Sequence, residues 1–166
     1  QTKRQTISGA YFKEEYDALD RKTGSYVPDG STVAYGEEAY VQAETNRYDA
    51  LGRLVWTRDI RGLTVSNSYN ALGQVTRKDY PDASFESWTF DSWGASTSYR
   101  DRGGNTVSNV YDSVGRLSRQ IDARGSSTFY SYTDADYVSS VSNAALGYVW
   151  AFTYDEEGRV TRTELP

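Results

Sequence analysis

Tyr48-Asp49-Ala50-Leu51-Gly52-Arg53-Leu54, Tyr69-Asn70-Ala71-Leu72-Gly73-Gln74-Val75, Phe90-Asp91-Ser92-Trp93-Gly94 and Tyr111-Asp112-Ser113-Val114-Gly115-Arg116-Leu117 begin at successive intervals of 21 residues. A fifth copy begins at Tyr132, where the turn letters have drifted to Thr133-Asp134-Ala135-Asp136. A sixth begins 22 residues on, at Tyr154-Asp155-Glu156-Glu157-Gly158-Arg159. The earliest is Tyr16-Asp17-Ala18-Leu19-Asp20-Arg21, 32 residues before Tyr48, so it carries about eleven extra residues. Self-similarity at a fixed period marks a chain built from one stacked supersecondary unit.

Each copy holds two turn signals. The first places Asp three residues before Gly, as in Asp49 to Gly52 and Asp112 to Gly115, which fits the first and fourth places of a type I turn. The second lies ten residues later, in Asp59 to Gly62, Asp101 to Gly104 and Asp122 to Gly125, with Pro28-Asp29-Gly30 and Pro81-Asp82-Ala83 as variants. Two turns per repeat imply two strands per repeat. Between turns the pattern has the strand period of two: Tyr148, Trp150, Phe152 and Tyr154 share one face, and Val149, Ala151 and Thr153 the other. The predicted fold is all-β, a stack of hairpins forming an elongated, twisted, spiralling antiparallel sheet in which the leading tyrosines form a ladder. The domain reading is a partial leading repeat (1–15), a first repeat (16–35), an insertion (36–47), five consecutive repeats (48–153) and a truncated final repeat (154–166).

Composition agrees. Fifteen Tyr, five Phe and four Trp dominate a chain with only 37% hydrophobic residues, so burial is expected to be mainly aromatic. If Tyr111 is buried as a large aromatic, its replacement by Ala would cost about 3–5 kcal/mol. A net charge of −5 argues against phosphate neutralisation and hence against nucleic acid. No apolar run is long enough to form a membrane-spanning helix. Without His or Cys the chain lacks the usual general base and thiolate chemistry. Starting at Gln1 and stopping inside a repeat at Pro166, it reads as a piece of a longer protein.

Tyr-Asp-x-x-Gly-Arg-Leu followed some ten residues later by Asp-x-x-Gly or Pro-Asp-Gly resembles the YD repeat of RHS proteins. That family includes bacterial RHS polymorphic toxins, the BC shells of insecticidal toxin complexes and the teneurins. The resemblance runs from Tyr16 to the C-terminus. It implies a segment of a hollow β-shell that encloses or presents a toxin domain, in a secreted or cell-surface protein. It also implies partners: further YD repeats of the parent chain, or other copies, at the open sheet edges. The residues expected to anchor the repeats are Tyr16, Asp17, Tyr48, Asp49, Gly52, Arg53, Tyr69, Gly73, Phe90, Gly94, Tyr111, Asp112, Gly115, Arg116, Tyr132, Tyr154, Asp155, Gly158 and Arg159.

A residue type repeated in every copy serves the copy and not a single reaction centre, so no catalytic residue, cofactor or metal is expected. The Asp-rich turns lack the alternating oxygen ligands and closing Glu of an EF-hand loop. Adjacent acids such as Glu156-Glu157 would go to opposite faces in a strand and read as solvated edge or loop charges, and no carboxylate pair stands out for glycoside hydrolysis. The alternative reading is a surface adhesion or carbohydrate-binding module contacting a glycan or receptor. Trp93, inside a turn, and Tyr40, in the insertion, are its candidate ligand contacts, because a loop that breaks a repeat carries function more readily than a wall does.

Overall fold

The computed structural model describes residues 2–7, 10–33 and 37–164, and side chains for 13–28 and 39–164. The described chain is all-β and contains no helix. It divides into two units, residues 1–85 and 86–166. The first is a meander of β1 (Thr2–Ile7), β2 (Ala10–Tyr16), β3 (Lys22–Val33), β4 (Glu37–Tyr48), β5 (Leu54–Asp59), β6 (Thr64–Tyr69) and β7 (Val75–Asp79). Each strand pairs antiparallel with the next. The second repeats the plan with β8 (Phe85–Phe90), β9 (Ser96–Arg100), β10 (Thr106–Tyr111), β11 (Leu117–Ile121), β12 (Ser127–Tyr132), β13 (Val138–Asn143), β14 (Tyr148–Tyr154) and β15 (Val160–Glu164).

One backbone bonding scheme closes eleven of the described turns. At Asp49 the amide of Gly52 donates to the Asp49 carbonyl (3.0 Å) and the amide of Asp49 to the Arg53 carbonyl (2.9 Å). The Asp49 carboxylate meanwhile accepts from the amides of Leu51 and Arg53 at 2.9 and 3.0 Å. This is a type I turn closed by a residue of positive φ, and the register shifts at Arg47/Tyr48, Ser68/Tyr69 and Val110/Tyr111 mark the accompanying bulge. The turn at 133–137, whose letters had drifted, keeps the same two backbone bonds at 2.8 and 3.0 Å. Asp20, Ala83 and Asp136 take the glycine place at φ of 58°, 63° and 64°. Backbone geometry therefore outlasts the Asp-x-x-Gly signature.

Pro28-Asp29-Gly30 departs from the expectation. It is not a turn; it lies within the twelve-residue β3, at a register shift between Pro28 and Thr32. A proline has no amide to give to a ladder, and a bulge accommodates it inside a strand. Pairing continues to Val33 opposite Glu37, so the extra residues lengthen a hairpin and residues 37–48 are strand. The segment 34–36 that joins these strands lies outside the described residues.

Burial also differs from the expectation. Each unit is a single layer of strands, and among the described residues no hydrophobic side chain is fully buried. Asn143 is the deepest polar one, accepting from Ser126 Oγ (3.0 Å) and donating to Thr128 Oγ1 (3.0 Å). The aromatics are mostly half-covered, and Trp150 and Phe129 stay exposed, because a layer with no partner layer cannot enclose them.

Turn backbone thus carries stability that a core would otherwise supply. Gly125 sits at φ +81°, and a Cβ there would meet nothing within 4 Å, so Gly125→Ala isolates the strain of the left-handed conformation. The expected cost is about 1 kcal/mol, read as a lower urea midpoint with unchanged slope.

Candidate functional site

The anchor residues meet at the junction of successive repeats. Five of the leading tyrosines reach back from the start of their own repeat to the repeat before it. The hydroxyls of Tyr48, Tyr69, Tyr111, Tyr132 and Tyr154 donate to the carbonyls of Lys22, Leu54, Ser96, Leu117 and Val138 at 2.7–2.9 Å. Asn67 and Asn109, two residues before their tyrosines, donate from Nδ2 to the same Leu54 and Ser96 carbonyls at 2.9 and 3.0 Å. Tyr16 instead donates to Glu14 Oε2 at 2.7 Å, which raises its phenol pKa. Phe90 has no hydroxyl to give.

The tyrosines do not touch one another as a ladder. Equivalent residues two strands apart are separated by about 10 Å, and the arginine of the preceding turn fills the gap. The guanidinium carbons of Arg21, Arg53 and Arg116 lie 4.8, 4.7 and 4.6 Å from the ring centroids of Tyr48, Tyr69 and Tyr132, within cation–π range. Each guanidinium is held from behind by its turn's aspartate. Nε of Arg21, Arg53 and Arg116 donates to Oδ2 of Asp17, Asp49 and Asp112 at 2.7–2.8 Å. The forward edge grips the next turn: Arg53 Nη1 reaches the Asn70 carbonyl (3.0 Å), and Arg116 Nη1 the Asp136 carboxylate (2.6 Å). Tyr137 occupies the arginine place in its repeat and stacks on Tyr154 at 4.9 Å between centroids.

Arg159 keeps its bond to Asp155 (2.7 Å). Over Arg21 and Arg53 it is the tyrosine of the next repeat that covers the guanidinium. The turn glycines take part through their small size. A Cβ at Gly52 would lie 3.3 Å from Arg21 Nη1, one at Gly73 would touch Arg53, and one at Gly158 would collide with the Tyr137 hydroxyl. Gly94 occupies the same place in its turn, with its amide donating to the Asp91 carbonyl at 3.1 Å.

The second arrangement is a groove of about 860 Å³ between the turns at 91–95 and 112–115, floored by Tyr111 and rimmed by Trp93 and Val114. Trp93 is 92% exposed. Tyr40, by contrast, lies half-buried in β4 opposite Pro28, in a strand and not in a loop. Sequence reasoning missed the carbonyl acceptors, Asn67, Asn109 and the role of Tyr137. The Asn-x-Tyr spacing at 67–69 and 109–111 was the available signal. Among the described residues no group of three or more His, Cys, Asp or Glu side chains converges to hold a metal ion.

Two outcomes follow. Tyr111→Phe removes one hydroxyl bond and keeps the ring, so it is expected to cost about 1 kcal/mol. Because Tyr111 is only half-covered, Tyr111→Ala should fall below the loss expected for a buried ring; denaturant titration of both variants checks this. The carboxyls of Asp49, Asp112 and Asp155 are held below the ordinary aspartate range, first by the backbone amide four residues on and also by the arginine there; Asp17 is lowered first by the Arg21 side chain. The unfolded chain therefore binds more protons in acid. Stability should be fully present above the ordinary aspartate pKa and lost as pH falls from roughly 4 through the lowered values. Melting temperature against pH should show this loss, and Asp112→Asn should reduce it by the share of that one carboxyl.

The family profile described as Teneurin YD-shell matches residues 25–164. A search of curated proteins found no match. Among solved structures, the Photorhabdus luminescens Tc holotoxin pore carrying a TccC3 D651A mutation matches with TM-score 0.54 and 14% identity, over 98% of this chain and 11% of that one. The crystal structure of TcdB2-TccC3-TEV matches with TM-score 0.52 and 12% identity, over 96% of this chain and 10% of that one. At such identities the likeness is one of fold, and this chain spans about a tenth of the length of those it matches. A profile match across most of the repeats, on a sheet of hairpins clamped turn to turn, places the chain in the YD-shell family.

Proposed function

We propose that this chain is a wall segment of a larger secreted or delivered YD-repeat protein, whose shell encloses or presents a toxin domain. The observation that carries the reading is the clamp itself. Aspartate, arginine and the next repeat's tyrosine form a contact that is complete only when another repeat follows. A device of this kind extends a wall, since each added hairpin covers the guanidinium its predecessor leaves exposed. We assign the anchor residues to holding repeats in register, with no catalytic role, and count residues 36–47 as a lengthening of the first repeat. The partners on this reading are further YD repeats at the sheet edges, whose unpaired amides and carbonyls accept another strand. No described helix is long and apolar enough to cross a membrane.

A second reading, surface adhesion through a glycan or receptor, rests on the groove beside Trp93. The two are compatible, because a wall has an outer surface.

The decisive measurement is the intact mass of the native polypeptide from its source under denaturing conditions. The wall reading expects a mass several times the 18.6 kDa of this chain. A native polypeptide near that value would overturn it and favour self-assembly or ligand binding.

A further inference from the structure

Position 95 breaks the clamp. Asp91, Trp93, Gly94 and Ala95 occupy the places taken elsewhere by Asp49, Leu51, Gly52 and Arg53, so the residue that should deliver a guanidinium is an alanine. Everything that receives the guanidinium is nevertheless in place. Asp91 Oδ1 accepts from the amides of Trp93 and Ala95 at 2.9 Å each, as Asp49 Oδ1 does from Leu51 and Arg53. Oδ2, which takes the arginine Nε in the sibling turns, accepts no bond from the described residues. Tyr111 keeps its hydroxyl bond to the Ser96 carbonyl, so its ring is held as Tyr48, Tyr69 and Tyr132 are held beneath their arginines. The next turn is open as well: a Cβ at Gly115 would meet nothing within 4 Å, whereas the matching glycines at 52, 73 and 158 meet Arg21, Arg53 and Tyr137. The groove between the two turns is the space that results.

We infer that this groove binds an arginine side chain presented by a protein partner, its guanidinium lying on the Tyr111 ring and bonded to the Asp91 carboxylate, with Trp93 against the aliphatic stem. The inference goes beyond the wall role. The chain's own turns show the occupant three times over, with the same carboxylate, the same ring and the same neighbouring turn. Arginine suits the site better than lysine because a planar guanidinium can stack on a ring while donating sideways to a carboxylate. A sugar would also stack on an exposed indole, but it would leave the carboxylate without its cation.

The test is calorimetric titration of the 166-residue chain with the peptide acetyl-Gly-Arg-Gly-amide, with the amide shifts of Ala95 and Tyr111 followed by NMR. Saturable binding is expected, with the neutral citrulline peptide weaker by about tenfold or more. Asp91→Asn should weaken binding by a similar factor and leave the turn intact, because Asn70 already supports this turn through its Oδ1. Ala95→Arg should abolish binding by filling the groove from within, and should raise the melting temperature. Equal binding of arginine and citrulline peptides, binding that survives Ala95→Arg, shifts produced only by a saccharide such as maltose, or no saturable binding would each overturn the assignment. A short native mass would overturn the wall reading and leave this one standing.

Discussion

The hydroxyl of a tyrosine in one hairpin donates to a backbone carbonyl in the hairpin before it, and an arginine from that earlier hairpin's turn lies on the tyrosine's ring. The described sheet depends on this contact because a single layer has no interior. Strand pairing alone would leave both faces wet, and an isolated hairpin is marginal in water. The clamp carries the joint between paired strands past the end of their ladder, whose last β5–β6 pair towards that end is Trp56 with Ser66. Tyr69, in β6, bonds to Leu54, where β5 begins, and Arg53, just before β5, rests on the Tyr69 ring and bonds to Asn70 in the next turn. The turn at 49–53 is thereby tied to the turn at 70–74 through side chains as well as through the paired strands.

The consequence for energetics is that each contact belongs to a junction between neighbours. In such a chain stability is close to a sum of repeat terms and nearest-neighbour terms, and each unit's strands pair with their sequence neighbours. The cost of ordering is met locally, without long loops to close. Exposed arginine–aspartate pairs contribute little by themselves. Here the pair orients a guanidinium for a neighbour, so its value lies in geometry that the next repeat uses.

Much of this was legible in the sequence. The 21-residue period gave the repeat, and the Asp-x-x-Gly spacing gave the turn, because a carboxylate that accepts amides two and four residues on, followed by a residue of positive φ, has few other uses. Three features were less legible. Pro28-Asp29-Gly30 carries turn letters but sits in a strand, since its pairing with β4 extends past it, and local propensity cannot see a partner strand. Ala83 and Asp136 hold the left-handed place without glycine, so a missing Gly did not mean a missing turn. The tyrosine ladder was right in its period and wrong in its contact: a spacing of about 10 Å between equivalent strands requires something between the rings, and that something was already written as the arginine five residues after Tyr16, Tyr48 and Tyr111.

A nearest-neighbour architecture also explains how one junction can differ while the fold persists. At position 95 the arginine is absent, yet the turn at 91–95 keeps its backbone bonds at 3.0 and 3.1 Å and Tyr111 keeps its hydroxyl bond. In a protein with a packed core, deleting so large a side chain would leave a cavity felt by many neighbours. Here the deletion opens a groove to solvent, and the change stays within one junction. A repeat protein of this kind can therefore vary one junction without disturbing the next. The place to look for binding in a regular wall is accordingly where a single letter of the repeat is missing and its receiving residues have stayed in position.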